Sequence, residues 1–183
     1  MSVRKLTQMA MLAAISIILV FFIRLPIIPA APFLEYTPGD VPLMMAAFMY
    51  GPAAGIILTV VTAVIQGTTV SAHSGIIGII MNILSGSSYV LVAGLIYSKS
   101  RDKTAKTVII AMAAGVAATT VTMIGWNLVF VPIFMGVPRE VVLRMVIPAF
   151  LPFNLIRAGA NSVIAFAAWR AVSPFLKSYI KAD

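Results

Sequence analysis

Cysteine is absent from this chain, and histidine occurs only once, at His73. Disulfide bridges, thiolate metal sites and cysteine nucleophiles are therefore excluded. His73 has no second histidine or carboxylate cluster near it in the sequence, so we expect no metal site. The G-x-x-x-x-G-K-[ST], H-E-x-x-H and G-x-S-x-G motifs are also missing. We therefore predict no catalytic residue, no resident cofactor and no enzymatic activity.

Acidic residues are scarce, and none falls in a confidently helical apolar segment. A proton- or sodium-driven carrier usually keeps an acid at the membrane midplane. The sequence therefore disfavours an ion-coupled secondary carrier, which remains an alternative, and an ATP-driven carrier would need its ATPase on another chain. The acids are Glu35, Asp40, Asp102, Glu140 and Asp183.

Hydrophobic residues make up 61% of the chain and charged residues 10%. This composition predicts a multi-pass protein of the cell membrane that forms a single transmembrane domain over residues 1–183. The net charge of +8 comes from short clusters beside apolar segments, which favours anionic headgroups over nucleic acid as its partner. The first apolar run has no prompt cleavage site, so we interpret it as a retained span.

Four segments are long enough to cross a bilayer: 6–25, 75–97, 107–135 and 147–175. Residues 41–69 form either one kinked helix or two helices joined at Gly51 and Pro52. Two helices place the basic clusters of both termini and of 98–106 on one side, as the positive-inside rule requires. We therefore predict an all-α protein of six transmembrane helices with cytoplasmic termini. Its second helix, 41–50, is too short to span alone and must be shielded by neighbours.

Polar residues in the apolar segments share one depth near the outer side. Asn127, Asn154 and Arg157 lie there together with the loop 24–40. Amides, a guanidinium and apolar neighbours suit a flat heterocycle with carbonyls and ring nitrogens. Each asparagine could equally bond across helices, whereas we expect Arg157 to face a polar cavity and Asn161 to serve helix packing.

The loop 24–40 leaves several interpretations open. Its prolines make it stiff and its aromatic residues make it apolar, so it either covers a cavity or rests on the headgroup interface. Glu35 and Asp40 are most simply solvated loop residues, and Asp40 could cap the second helix. Ala10 and Ala14 form a small-x-x-x-small stripe that serves either close approach of another helix or internal packing.

Three stretches carry a family resemblance that covers nearly the whole chain: "FLEYTPGDVPLMMAAFMYGPAAG" (33–55), "SGIIGIIMNILSGSSYVLVAGLIY" (74–97) and "LPFNLIRAG" (151–159). The chain resembles the substrate-binding S components of energy-coupling factor (ECF) transporters, and among them the riboflavin-specific type. The resemblance implies a vitamin cavity near the outer face of a prokaryotic plasma membrane, capped by the loop between the first two helices. It also implies a transmembrane coupling subunit, which docks at Ala10 and Ala14, and two cytoplasmic ATP-binding subunits.

The resemblance also assigns residues to the ligand. Asn127 and Asn154 match asparagines that contact the isoalloxazine ring. Arg157 takes the place of a lysine, so the planar guanidinium replaces a compact ammonium group as the donor. This exchange makes another flavin or another vitamin the alternative ligand. The loop residues expected to contact the ribityl chain are Glu35, Tyr36 and Asp40.

Overall fold

A computed structural model describes residues 3–29 and 31–180, excluding the side chains of residues 175–180. A five-residue π-helical turn, Val146–Phe150, joins the last two helices into one continuous rod, so the described residues form six helical rods. The helices are α1 (Val3–Phe22), α2 (Asp40–Tyr50), α3 (Pro52–Thr68), α4 (Gly75–Lys99), α5 (Ala105–Met135), α6 (Arg139–Met145) and α7 (Leu151–Ile180).

Four of the six rods have the length and apolar composition of membrane spans: α1, the segment 72–99, α5 and the segment 139–174. Helices α2 and α3 are shorter, with 11 and 17 residues. At about 1.5 Å per residue they are about 16 and 26 Å long. The multi-pass, almost wholly helical architecture agrees with the sequence prediction.

The segment 41–69 is two helices, as predicted. Gly51 separates them with φ 92° and ψ 166°, a conformation that side-chain-bearing residues rarely adopt. Its N–H still bonds the Ala47 carbonyl at 3.0 Å, which ends α2. Pro52 then starts α3, where a missing N–H costs no hydrogen bond.

Helix α2 is surrounded by the bundle. Eight consecutive residues, 41–48, are buried, and α2 packs against α1, α3, α4 and α7. A helix too short to span a bilayer is thus shielded by its neighbours, which confirms the prediction. Its far end joins an aromatic group in which the Phe48 and Tyr97 ring centroids are 4.4 Å apart, and Trp169 Nε1 donates to the Tyr97 hydroxyl at 3.1 Å.

The all-α prediction needs one correction, in the loop between α1 and α2. Strand β1 (Leu25–Pro26) pairs antiparallel with β2 (Glu35–Tyr36), with Leu25 opposite Tyr36. A two-stranded ribbon tolerates Pro26 because each strand is an edge and leaves half of its backbone groups unpaired. We call the end of the bundle that carries this ribbon the loop end.

The last rod begins earlier than predicted. The sequence placed its start at residue 147, whereas α6 begins at Arg139 directly after Pro138. Pro148 and Pro152 each lack an N–H, so the regular ladder is interrupted near them. Leu151 N–H bonds the Val146 carbonyl five residues back, and the helix continues through a π turn.

Gly55 sets the distance between α2 and α3. A Cβ at this position would lie 2.8 Å from Ala47 Cβ and 3.2 Å from the Leu43 carbonyl oxygen. We expect Gly55→Ala to lower the melting temperature in detergent, because the backbone oxygen cannot move aside and overpacking typically costs about 1–3 kcal/mol. Gly125→Ala, at a helical glycine with nothing within 4 Å, is the matched control. Equal melting temperatures for the two variants would contradict this packing account.

Candidate functional site

A cavity lies at the loop end, between α1, α3, α4, α5, α7 and the loop 23–39. It contains about 1010 Å³ of space between atoms, open solvent at its mouth included. The part of this space that the centre of a water-sized sphere can reach is about 160 Å³, whereas a single water molecule needs about 10–15 Å³ by the same measure. The cavity therefore has room for one small organic molecule.

Four of the predicted site residues line this cavity: Glu35, Asn127, Asn154 and Arg157. Tyr36 and Asp40 are not among the described residues that line it. Asp40 instead lines a smaller cavity directly adjacent, which shares Arg157 with the larger one. The structure thus brings most of the predicted polar set to one place.

The two asparagines are buried at the cavity wall, with Asn127 2% and Asn154 3% exposed. Asn154 Nδ2 donates to the Phe150 carbonyl at 2.7 Å, at the end of the π turn. Only the amide nitrogen can donate to a carbonyl, so this bond fixes which way the side chain points. The Oδ1 atom of Asn154 has no partner among the described residues and can accept a hydrogen bond from a ligand.

Arg157 forms an ion pair with Asp40. Its Nη2 lies 3.2 Å from Asp40 Oδ2 and 3.5 Å from Oδ1, and the side chains are 14% and 13% exposed. Asn161 Nδ2 donates to the same Oδ2 at 3.0 Å and to the Thr37 carbonyl at 3.1 Å. Asn161 was predicted to serve helix packing. In the structure it packs by hydrogen bonds to the Asp40 carboxylate of this ion pair and to the loop.

Two expectations about Asp40 are wrong. It is not a solvated loop residue but the first residue of α2, and Gly39 is the N-cap residue, with no side-chain capping bond. Asp40 lines the smaller cavity together with Thr62 of α3, and its side chain is 13% exposed. An acid therefore does lie between the helices of the bundle. The sequence missed it because Asp40 follows a proline-rich loop that dips into the bundle.

The loop 23–39 covers the cavity. Phe33, Leu34 and Thr37 line it, which favours the cover over the interface-resting interpretation. Arg24 fastens the loop: its Nε donates to Glu35 Oε2 at 3.0 Å, and its Nη1 donates to the Val70 carbonyl in the turn before α4. One side chain thus ties both strands of the ribbon to the opposite side of the mouth.

Tyr36 lies near this charged group without lining the larger cavity. Burial raises the pKa of its hydroxyl above the ordinary value; Asp40 raises it further, and Arg157 opposes the shift. The phenol is therefore neutral and remains a hydrogen-bond donor at physiological pH.

Sequence reasoning missed two amides that line the cavity, Gln66 on α3 and Asn82 on α4. The sequence feature that could have identified them is the one that indicated Asn127: a lone amide side chain in an apolar helix. Four phenylalanines and two methionines form much of the apolar part of the wall, and their apolar identity gave no sequence signal of a site. They are Phe33, Met81, Met123, Phe130, Phe134 and Phe153.

Comparison with known proteins identifies the family. The model of the ECF transporter substrate-specific component matches residues 4–168. The chain belongs to this family. A solved structure titled "Structure and mechanism of the S component of a bacterial ECF transporter" superposes with a TM-score of 0.81 at 29% identity, covering 95% of this chain and 98% of that one.

Curated relatives cover nearly the whole chain as well. The riboflavin transporter RibU of Staphylococcus aureus (strain TCH60) is 28% identical over 95% of this chain and 93% of its own length. The riboflavin transporter FmnP of Bacillus subtilis (strain 168) is 25% identical over 97% and 96%. Members of this family are substrate-binding transporter subunits of the bacterial cell membrane, and this chain is one of them.

The predicted docking residues lie on the outside of the bundle. Ala10 and Ala14 are exposed on α1, whereas Met9 and Ser16 on the same helix are buried. Internal packing, the alternative interpretation of this stripe, is therefore wrong for these two residues. The stripe is available to lipid or to another helix.

The Arg24–Glu35 pair generates a prediction about the loop. We expect Glu35→Gln to raise amide hydrogen exchange in residues 31–36 by about two- to fivefold, because a partly exposed ion pair contributes about 1 kcal/mol or less. Exchange measured by mass spectrometry on the ligand-free protein checks this. Glu140→Gln, at an exposed acid on α6, is the control. Unchanged exchange in the Glu35 variant would show that the charge of the Arg24–Glu35 pair does not fasten the loop.

Proposed function

We propose that this chain is the riboflavin-binding S subunit of an ECF-type vitamin importer, and that the cavity at the loop end is its ligand site. One observation carries the proposal: buried amides and a guanidinium meet beside aromatic walls under a fastened loop. The relatives named as riboflavin transporters support the choice of ligand.

The chemistry of riboflavin fits this wall. Its isoalloxazine ring is flat and carries carbonyls and ring nitrogens along one edge. Asn154 Oδ1 can accept from a ring N–H, while Arg157 and the amide of Asn127 can donate to ring carbonyls. The aromatic residues offer faces for stacking. Arginine can replace lysine here because a carbonyl accepts from either side chain, although the planar fork sets a different geometry.

The loop residues take a secondary part in this proposal. Glu35 lines the cavity and can accept from ribityl hydroxyls. Tyr36 and Asp40 lie behind the lining, so any ligand contact they make requires the loop to move on binding. Their direct contribution to affinity is therefore smaller than that of Asn154 and Arg157.

Transport in this proposal depends on partners. The loop end faces outward and both termini face the cytoplasm, which places the basic clusters inside. A transmembrane coupling subunit docks on α1 at Ala10 and Ala14, and two cytoplasmic subunits hydrolyse ATP. Asp40 lies between the helices but is already paired with Arg157, so it is not a free acid for ion coupling.

Titration of the purified, ligand-free protein with riboflavin tests the proposal. We expect stoichiometric quenching of flavin fluorescence without ATP or an ion gradient, and a yellow protein when cells grow on riboflavin. A panel of other vitamins under the same conditions tests the ligand choice. Binding of another vitamin but not riboflavin would overturn the ligand, and uptake by this chain alone in vesicles with an ion gradient would overturn the mechanism.

Asn154→Ala is expected to weaken riboflavin binding by about 1–3 kcal/mol, because a buried ligand group would lose its partner. The dissociation constant from fluorescence titration measures this. Ser88→Ala removes a hydroxyl that bonds only its own helix, at the Ser85 carbonyl, and serves as the control. If the Asn154 and Ser88 variants bind equally well, Asn154 serves packing alone.

Ala14→Trp is expected to leave riboflavin affinity unchanged and to reduce uptake severalfold in cells that contain the partner subunits, because the ring would block close helix approach. Ala113→Trp places the same bulk at an exposed alanine of α5 and controls for changed lipid contact. Equal loss of binding and uptake in the Ala14 variant would contradict a separate docking surface.

A further inference from the structure

Asp40 and Asn161 lie beside the larger cavity and hold Arg157, which lines it. We propose that Asp40 and Asn161 are positioning residues, which fix the Arg157 guanidinium in the orientation that recognises the ligand. This inference rests on the proposed function, in which Arg157 donates to the bound flavin. It extends the ligand site to residues that the ligand does not touch.

The first step of the argument is the geometry of the guanidinium. A single nitrogen of Arg157, Nη2, contacts both carboxylate oxygens of Asp40, at 3.2 and 3.5 Å. The other terminal nitrogen, Nη1, has no partner among the described residues. One end of the planar fork is therefore anchored while the other keeps its donors for a ligand.

The second step is that Asn161 holds the Asp40 carboxylate in place. Its Nδ2 reaches Asp40 Oδ2 at 3.0 Å and the Thr37 carbonyl at 3.1 Å, and the residue is 0% exposed. Asn161 follows Arg157 by one helical turn on α7, so both side chains point to the same face. Rigid helical backbone thus connects the side chain that recognises the ligand to the side chain that holds its counter-ion.

The third step is that packing alone does not account for these residues. Arg157 Nε and Asn161 Oδ1 are buried, and neither has a hydrogen-bond partner among the described residues. Each such atom destabilises the fold, and leucine at 161 would fill a similar volume without that cost. Polar groups kept at a cost to stability are characteristic of functional sites.

A double-mutant cycle on the purified full-length chain tests the proposal with riboflavin as the probe. We expect Asn161→Leu to weaken binding about tenfold, as for loss of a hydrogen bond to a charged group. In an Arg157→Met background the same change is expected to weaken binding less than twofold, because the positioned group is gone. The absorption band of bound riboflavin is expected to shift in Asn161→Leu towards its position in Arg157→Met.

Asp40→Asn keeps the side-chain volume, removes the charge and serves as the second variant if Asn161→Leu does not fold. Its loss of affinity is expected to vanish in the Arg157→Met background as well. Ser162→Ala, on the same helix, removes a part-buried 2.7 Å hydrogen bond to Tyr89 and is the matched control. It is expected to lower thermal stability without changing affinity or spectrum.

The outcomes are separable. Wild-type protein that binds no riboflavin overturns the proposed function itself. Wild-type binding with equal losses for Asn161→Leu in both backgrounds, or with no loss in either, overturns only the positioning role. Full affinity in Arg157→Met would also overturn it, because Arg157 would then make no contact worth positioning.

Discussion

The ion pair between Asp40 and Arg157 joins the parts of the molecule that make the cavity. Asp40 begins the short helix α2 directly after the loop, and Arg157 lies on α7 at the cavity wall. Charges inside an apolar bundle are tolerated when they are paired and make further hydrogen bonds, and Asn161 donates such a bond to Asp40. The pair therefore lets one chain keep a strong donor in an apolar bundle without leaving a bare charge.

The short helix α2 follows from this arrangement. Its start lies beside Arg157, and four other helices bury it, which shields a helix too short to span a bilayer. The residue before α2, Gly39, packs closely against α1. Ser16 on α1 donates to the Gly39 carbonyl at 2.8 Å, and a Cβ on Gly39 would lie 2.5 Å from Val20 Cγ2. Cavity, loop and α1 are thus built as one connected unit, with the exposed stripe of Ala10 and Ala14 on the outer side of the same helix.

The sequence predicted the features that depend on composition and local chemistry. Hydropathy found the long spans, Gly51 and Pro52 predicted the break, and charge placement required six helices. Lone polar residues in apolar helices indicated Asn127, Asn154 and Arg157, all of which line the cavity. The β ribbon, the π turn and the burial of Asp40 between helices were missed, because each depends on how separate segments pack against one another.

Recognition of the ligand in the proposal depends on the polar side chains of the cavity wall. Arg157 matters most there, since it takes the place of the lysine that the resemblance implies while keeping Asp40 as a counter-ion and a donor for the cavity. Aromatic walls such as Phe130 and Phe153 could not be distinguished in the sequence from ordinary core or lipid-facing residues. Their role follows only from their position around the cavity.

A structure of the protein with riboflavin bound tests the central claim most directly. The account predicts the isoalloxazine ring in the cavity under the loop 23–39, with its polar edge within hydrogen-bond distance of Asn154 Oδ1 and Arg157 Nη1, and with the Asp40–Arg157 pair intact. A ring bound elsewhere, or a bound state in which Arg157 leaves Asp40 and turns away from the ligand, would contradict it.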